Sequence, residues 1–210
     1  QGTLHTNASS NYALTVTGLI DVTTGGTITC NSSTVTTSSL AITGGTFTAP
    51  DASGSLVITG EHNASPADGY AFIRSSGTFT HSSGTTTFTG ALGAGNPSSV
   101  RMYGVGSGQK FNNVVLNSSG AAADLVLQFT DEGTYLEGDL TLTKGKMDMI
   151  GIRPLTVEGD VSIASGCILG KITSEWTNDI SLGSLTIASG GTYNATSGTT
   201  TITGELASSG

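Results

Sequence analysis

The chain has 210 residues, of which only 10% are charged, and a formal net charge of −8. That balance excludes a nucleic-acid-binding surface, which needs clustered Lys and Arg. Gly supplies 31 positions and Pro only 4. Ser and Thr together supply about three residues in ten. Such a composition often marks a flexible linker, but here Val, Ile, Leu, Phe and Tyr recur at short intervals. Thr is β-branched and fits a pleated surface. No Gly-free stretch shows apolar residues at helical spacing; the most helix-like piece, Ser119 to Leu125, is too short to hold a helix alone. The composition is that of many short strands joined by tight turns.

Taken in chain order, strands are predicted over Ala13–Thr17, Leu56–Thr59, Phe111–Leu116, Leu125–Phe129, Asp139–Thr143 and Leu185–Ala188, with Gly, Asn or Ser between them. Short units recur along the way: GTFTA from Gly45, GTFTH from Gly77, GTTTFTG from Gly84 and GTTTITGE from Gly198. Each is a Gly turn followed by residues alternating at period two, so that one set faces inward and the other outward.

A longer repeat lies above these. Leu14-Thr15-Val16 matches Leu155-Thr156-Val157, Ile28 matches Ile168, and Leu40 with Ile42 matches Leu185 with Ile187. Phe47 matches Tyr193, Ile58 matches Ile202, and Gly60-Glu61 matches Gly204-Glu205. The chain 1–210 therefore reads as one continuous repeat segment. Related stretches lie at 14–61 and 155–205, with a less regular insert at 62–145. The second stretch stops where the first runs on, which suggests a piece of a longer tandem array. No signal-peptide pattern follows Gln1, and no run of about 18 apolar residues suggests a membrane span.

The expected fold is all-β, a parallel β-solenoid or β-helix with irregular short coils; a tandem β-sandwich is the alternative. Stacked coils bury a continuous narrow core that no single coil could bury. About 20 residues per coil, stacked at about 4.8 Å, would give about ten coils over roughly 50 Å. The region from Glu61 to Leu116 holds Tyr70, Phe72, Phe79, Phe88, Tyr103 and Phe111, with Pro66, Pro97, Arg74 and Arg101. It reads as a wider core, or as a loop thrown out from the solenoid.

No catalytic, cofactor-binding or metal-binding residue is assigned, and no cofactor is expected. The densest acids are Asp124, Asp131, Glu132, Glu137 and Asp139. Paired carboxylates can hydrolyse glycosides or hold calcium, but the same acid–Gly–acid step recurs at Glu158 and Asp160, which points to a structural turn. His5, His62 and His81 are isolated in sequence, with no recognisable Ser, Cys or acid partner. Cys30 and Cys167 lack ligand spacing and read as small buried hydrophobes that remain unlinked. Trp176 reads as a cap over a coil edge, with a carbohydrate platform as the alternative. Asn7, Asn31, Asn63, Asn117 and Asn194 begin glycosylation-type triplets, little more than so much Ser and Thr supplies by chance.

The pieces NYALTVTG, LTVEGDVSI, ISLGSLTIASGGTYNATSGTTTITGE, GTFTHSSGTTTFTG and FNNVVLNSSG resemble the imperfect β-strand repeats of long virion-associated proteins of tailed phages, notably marine ones. They are also similar to repeats of secreted bacterial adhesins. The resemblance implies a shaft or tail-fibre role without an active site, and it carries over no functional residue. The expected function is thus a non-enzymatic structural segment of an extended fibre on a virion surface or outside the cell. A bacterial adhesin or filament subunit comes second, and a β-helix polysaccharide-active enzyme third. Expected partners are neighbouring repeats or identical chains, as a homotrimer or filament, and a host-surface glycan or protein. No nucleic acid and no membrane insertion are expected.

Overall fold

The computed structural model describes residues 2–62, 70–90, 98–102, 110–118, 126–131, 133–148, 154–171 and 177–209. Among them there is no helix, and every ladder between strands is parallel. Parallel strands cannot be joined by tight hairpins, so the chain advances by coiling. The molecule is a β-solenoid, and the sandwich alternative does not apply.

Each coil contributes to three faces. The first face runs through 14–16, Val35, Leu56, Thr86, Val114, Leu140, Val161, Leu185 and Leu206, nine strands in one parallel stack. The second carries 19–22, 39–42, the start of Tyr70–Thr80, and then Ser98–Met102, Val126–Asp131, Lys146–Asp148, Ile168–Gly170 and Thr192–Asn194. The third begins with Thr3–His5, Thr27–Thr29, 46–48 and 78–80. It continues through Phe111, Thr134–Leu136, 155–157, 180–182 and Thr200–Ile202. The 15-residue strand Thr34–Thr48 turns two corners and serves all three faces.

Coil length varies. Successive first-face residues stand 21 apart from Leu14 to Val35 and from Val35 to Leu56, then 30 apart to Thr86 and 28 to Val114. The spacing falls to 26 at Leu140 and then to 21, 24 and 21. A uniform coil of about 20 residues is therefore too short. Nine strands at about 4.8 Å give this face a rise of about 38 Å, less than roughly 50 Å.

The core is the column inside the three faces. Period two decides who enters it: Leu140 and Leu142 are buried while Thr143 is exposed. Each fully buried aliphatic or Phe side chain contributes roughly 1.5–3 kcal/mol. Phe47, Phe72, Phe79, Phe88 and Phe111 are all buried, so these aromatics fill a core locally wide enough for rings. Phe47 and Phe79 stack at 6.2 Å because they are register partners on adjacent coils. Tyr70 is half-buried; Tyr103, Pro66, Pro97 and Ser119 to Leu125 are outside the described residues.

The two related stretches occupy the solenoid in a regular way, displaced by one face. Leu14, Val16 and Ile58 belong to the first face, while Leu155, Val157 and Ile202 belong to the third. Ile28 and Phe47 lie on the third, while Ile168 and Tyr193 lie on the second. Leu40 and Ile42 lie on the second, Leu185 and Ile187 on the first. One position departs from the expected inward set. Cys167 and Leu169 enter the core, so Ile168 between them is turned away and only half-buried.

Candidate functional site

The corner between the third and first faces carries the densest polar chemistry among the described residues. The chain must turn sharply here on every coil, directly above the same turn of the coil below. Gly159 shows why glycine is used: a Cβ there would lie 2.3 Å from Asp139 Oδ1 and 2.7 Å from the carbonyl carbon of Gly138. Gly138 and Gly183 occupy the equivalent corner on the neighbouring coils, equally crowded.

The residue after each glycine ties coil to coil. The Asp139 N–H donates to Asn113 Oδ1 at 2.9 Å, and the Asp160 N–H donates to Asp139 Oδ1 at 2.8 Å. The Ser184 hydroxyl donates to Asp160 Oδ1 at 2.6 Å. Asp139 and Asp160 are therefore rungs of an exposed side-chain ladder that satisfies backbone N–H groups which a turn would otherwise leave open. This fits the structural-turn reading of the acid–Gly–acid step.

Glu137 does more than that reading expected. His81 Nε2 lies 2.9 Å from Glu137 Oε2, and the Lys110 ammonium pairs with Glu137 Oε1. Lys110 also sits 5.3 Å from the centre of the Tyr135 ring, within cation–π range. The Tyr135 hydroxyl in turn donates to Glu158 Oε1, which raises the Tyr135 pKa. His81, Lys110, Tyr135, Glu137 and Glu158 thus form one ridge over successive coils. His81 is not isolated after all. The sequence hides the pairing because Gly84 and Asn113 are adjacent in the stack across a coil whose length the sequence does not announce.

Two effects favour the neutral form of His81. Burial lowers its pKa first, and the Lys110 charge lowers it further. The Ser83 N–H donates to His81 Nδ1 at 3.1 Å, so Nε2 carries the ring proton and points it at Glu137. Here both Glu137 oxygens are already engaged, one by His81 and one by Lys110.

The other candidate residues lie apart. His5 is exposed in the strand Thr3–His5, and the His62 ring packs at 5.6 Å against Tyr70. Asp131 ends the strand Val126–Asp131, where it pairs with Met102. Asp124, Glu132 and Trp176 are outside the described residues. Cys30 and Cys167 are separate buried thiols. Asn31 donates its side-chain amide to the Thr6 carbonyl, and Asn194 donates to Lys171 at 2.7 Å, so both serve coil stacking. Asn7 instead caps its own turn, accepting from Ser9 and Ser10; Asn63 is outside the described residues. A groove of about 530 Å³ beside the first coil is lined by Leu4, Asp21, Val22, Thr24 and Ile28, among others, with Asp21 the only charged side chain among the described lining residues. No group of three or more His, Cys, Asp or Glu suited to a metal occurs among the described residues, and no described helix is long and apolar enough to cross a membrane.

The fold and its polar corner define a three-faced parallel β-solenoid. No protein family, curated protein or solved structure matches the chain.

Proposed function

We propose that this chain is a non-enzymatic structural segment of an extended surface fibre, of the kind borne by a virion or tail fibre. The observation that carries the reading is the first face: nine parallel strands in one unbroken stack, over a core of buried aliphatics and rings. Such a stack gains length by adding coils and needs no new interface type, since each coil contacts only its neighbours. The related stretches displaced by one face fit growth by modules. The side-chain ladder Asn113–Asp139–Asp160–Ser184 spends its polar groups on joining coils.

The test is to raise antibodies against the purified chain and image gold-labelled particles and cells of the organism that encodes it. Label along thin filaments projecting from a virion supports the reading. Label on cell-surface filaments selects the adhesin form instead, and label confined to the cell interior overturns both.

A further inference from the structure

Charge is spread unevenly over the three faces. Two outward rows run along the first face. One passes from Thr15 to Thr186 over eight coils, and every member is Thr, Val or Ser. The other lies two residues further along each strand, from Thr17 to Ala188, and holds only Thr, Ser, Asn and Ala. Its backbone joins coil to coil, as Thr59 does to Thr37 and Thr89 to Ile58. None of these positions is buried, charged or aromatic. The third face starts in the same way, with Thr27, Thr46 and Thr78 in register, but then meets Lys110, Glu137 and Glu158. The second face carries Asp21, Arg74 and Lys146.

The parallel ladders fix the spacing of the two rows. Along a row, side chains repeat at about 4.8 Å, and between the rows two residues of strand span about 6.6 Å. Thr and Val are stiff at χ1, so their methyl and hydroxyl groups are held in place before anything binds. The hydroxyls of Thr36, Thr87 and Thr141 make no hydrogen bond among the described residues, whereas Thr43 spends its hydroxyl on Asp21 at 3.1 Å. The first face is thus a long, flat, uncharged lattice of methyls and unspent hydroxyls.

We propose that the first face binds the surface of ice. Ice presents a flat, uncharged, periodic array of water oxygens, and hexagonal ice repeats along its short axis at nearly the strand spacing. A row of Thr therefore meets that array coil after coil without slipping out of step. The methyls order the water around them, and the hydroxyls take lattice positions as donors and acceptors. A charged side chain would hold a hydration shell that ice cannot incorporate, and these rows exclude charge in a chain of net charge −8. A second copy fits less well. A strip about 34 Å long and about 10 Å wide falls well short of the roughly 800 Å² that each partner gives to a stable interface. A crystalline polysaccharide also fits less well, since sugar rings are gripped by aromatic rings and the rows hold none. The inference goes beyond the fibre reading and does not rest on it.

Ice partitioning tests the proposal. Ice is grown slowly from a dilute solution of the 210-residue chain, and the protein in the ice is compared with that left in the liquid. Wild type should enter the ice, while an ordinary globular protein in the same solution stays in the liquid. Thr87→Lys and Thr141→Lys place a charge in the middle of the first row, and each, with unchanged strand content by circular dichroism, should be left in the liquid. Thr156→Lys lies on the third face between Tyr135 and Ser181 and should enter the ice as wild type does. Wild type left in the liquid would overturn the proposal, as would first-face variants that enter the ice unchanged. Equal loss in Thr156→Lys would do the same, and so would wild type that pellets with crystalline cellulose but not with ice. Each of these results leaves the fibre reading, tested by gold labelling, intact.

Discussion

The ring of Phe111 meets that of Phe79 at 60°, with centroids 5.3 Å apart. The contact joins the coil that ends in His81 to the one that begins at Lys110, and it carries the core through the part of the solenoid where coils are longest. Phe111 also meets Phe72 at 5.2 Å and Phe88 at 6.3 Å. Phe111→Ala removes the shared member of this cluster and leaves a cavity that rigid ladders cannot close. The expected loss is about 3–5 kcal/mol, read as a fall in the urea midpoint.

Backbone crowding gives a second prediction. Gly77 adopts φ +75°, and a Cβ there would lie 2.3 Å from the Gly45 carbonyl oxygen. Gly77→Ala combines left-handed strain with overpacking and should cost about 2–4 kcal/mol. Gly18 turns a corner with nothing within 4 Å of its Cβ position. Gly18→Ala should be neutral, or stabilising by about 0.4–1 kcal/mol through the unfolded chain. Thermal melts of the two variants side by side check the contrast.

Much of this fold was legible in the sequence, and the limits have physical causes. Period two marked Leu40, Ile42, Leu185 and Val157 as inward, because a strand can bury only alternate residues. The same pattern misplaced Ile168, where Cys167 and Leu169 flank it and take the core. The match of Leu14 with Leu155 was visible, but not that they stand on different faces, since face depends on the sum of all intervening coil lengths. The His81–Glu137 pair was hidden for the same reason. Turn lengths are set by corner packing, which period and composition do not encode.

The thiols should be inert while the chain is folded. Burial pushes the Cys30 pKa up to about 12 and raises that of Cys167 as well, and the thiolate is the reactive form. At pH 8 an aromatic disulfide reagent should titrate neither cysteine in native protein and both in denaturant. Mass spectrometry without reductant should show no Cys30–Cys167 bridge.

Acid should weaken the corner through His81. Its folded pKa lies below the unfolded value of about 6.5. The unfolded chain therefore binds the proton more readily, and stability falls as pH drops through and below about 6.5. His81→Gln keeps a donor and an acceptor on a short polar side chain and cannot titrate. Denaturation midpoints measured between pH 7.5 and 5 should slope less for this variant than for wild type.

The fibre reading also predicts no turnover of acidic or neutral polysaccharides by the purified chain, followed by release of reducing ends or unsaturated products. Turnover abolished by Glu137→Gln or Asp139→Asn would identify the polar corner as an active site and restore the β-helix enzyme.

The central claim is the unbroken stack, and a distance along it tests that claim most directly. Thr15 and Thr186 are outward residues of the first and eighth strands on the first face, linked through Thr36, Val57, Thr87, Val115, Thr141 and Ser162. Seven steps of about 4.8 Å put their backbones about 34 Å apart. Spin labels at these two positions, read by double electron–electron resonance, should give one distribution centred near that value. A distance under about 20 Å, as in two sheets packed about 10 Å apart face to face, would contradict the solenoid and the fibre built on it.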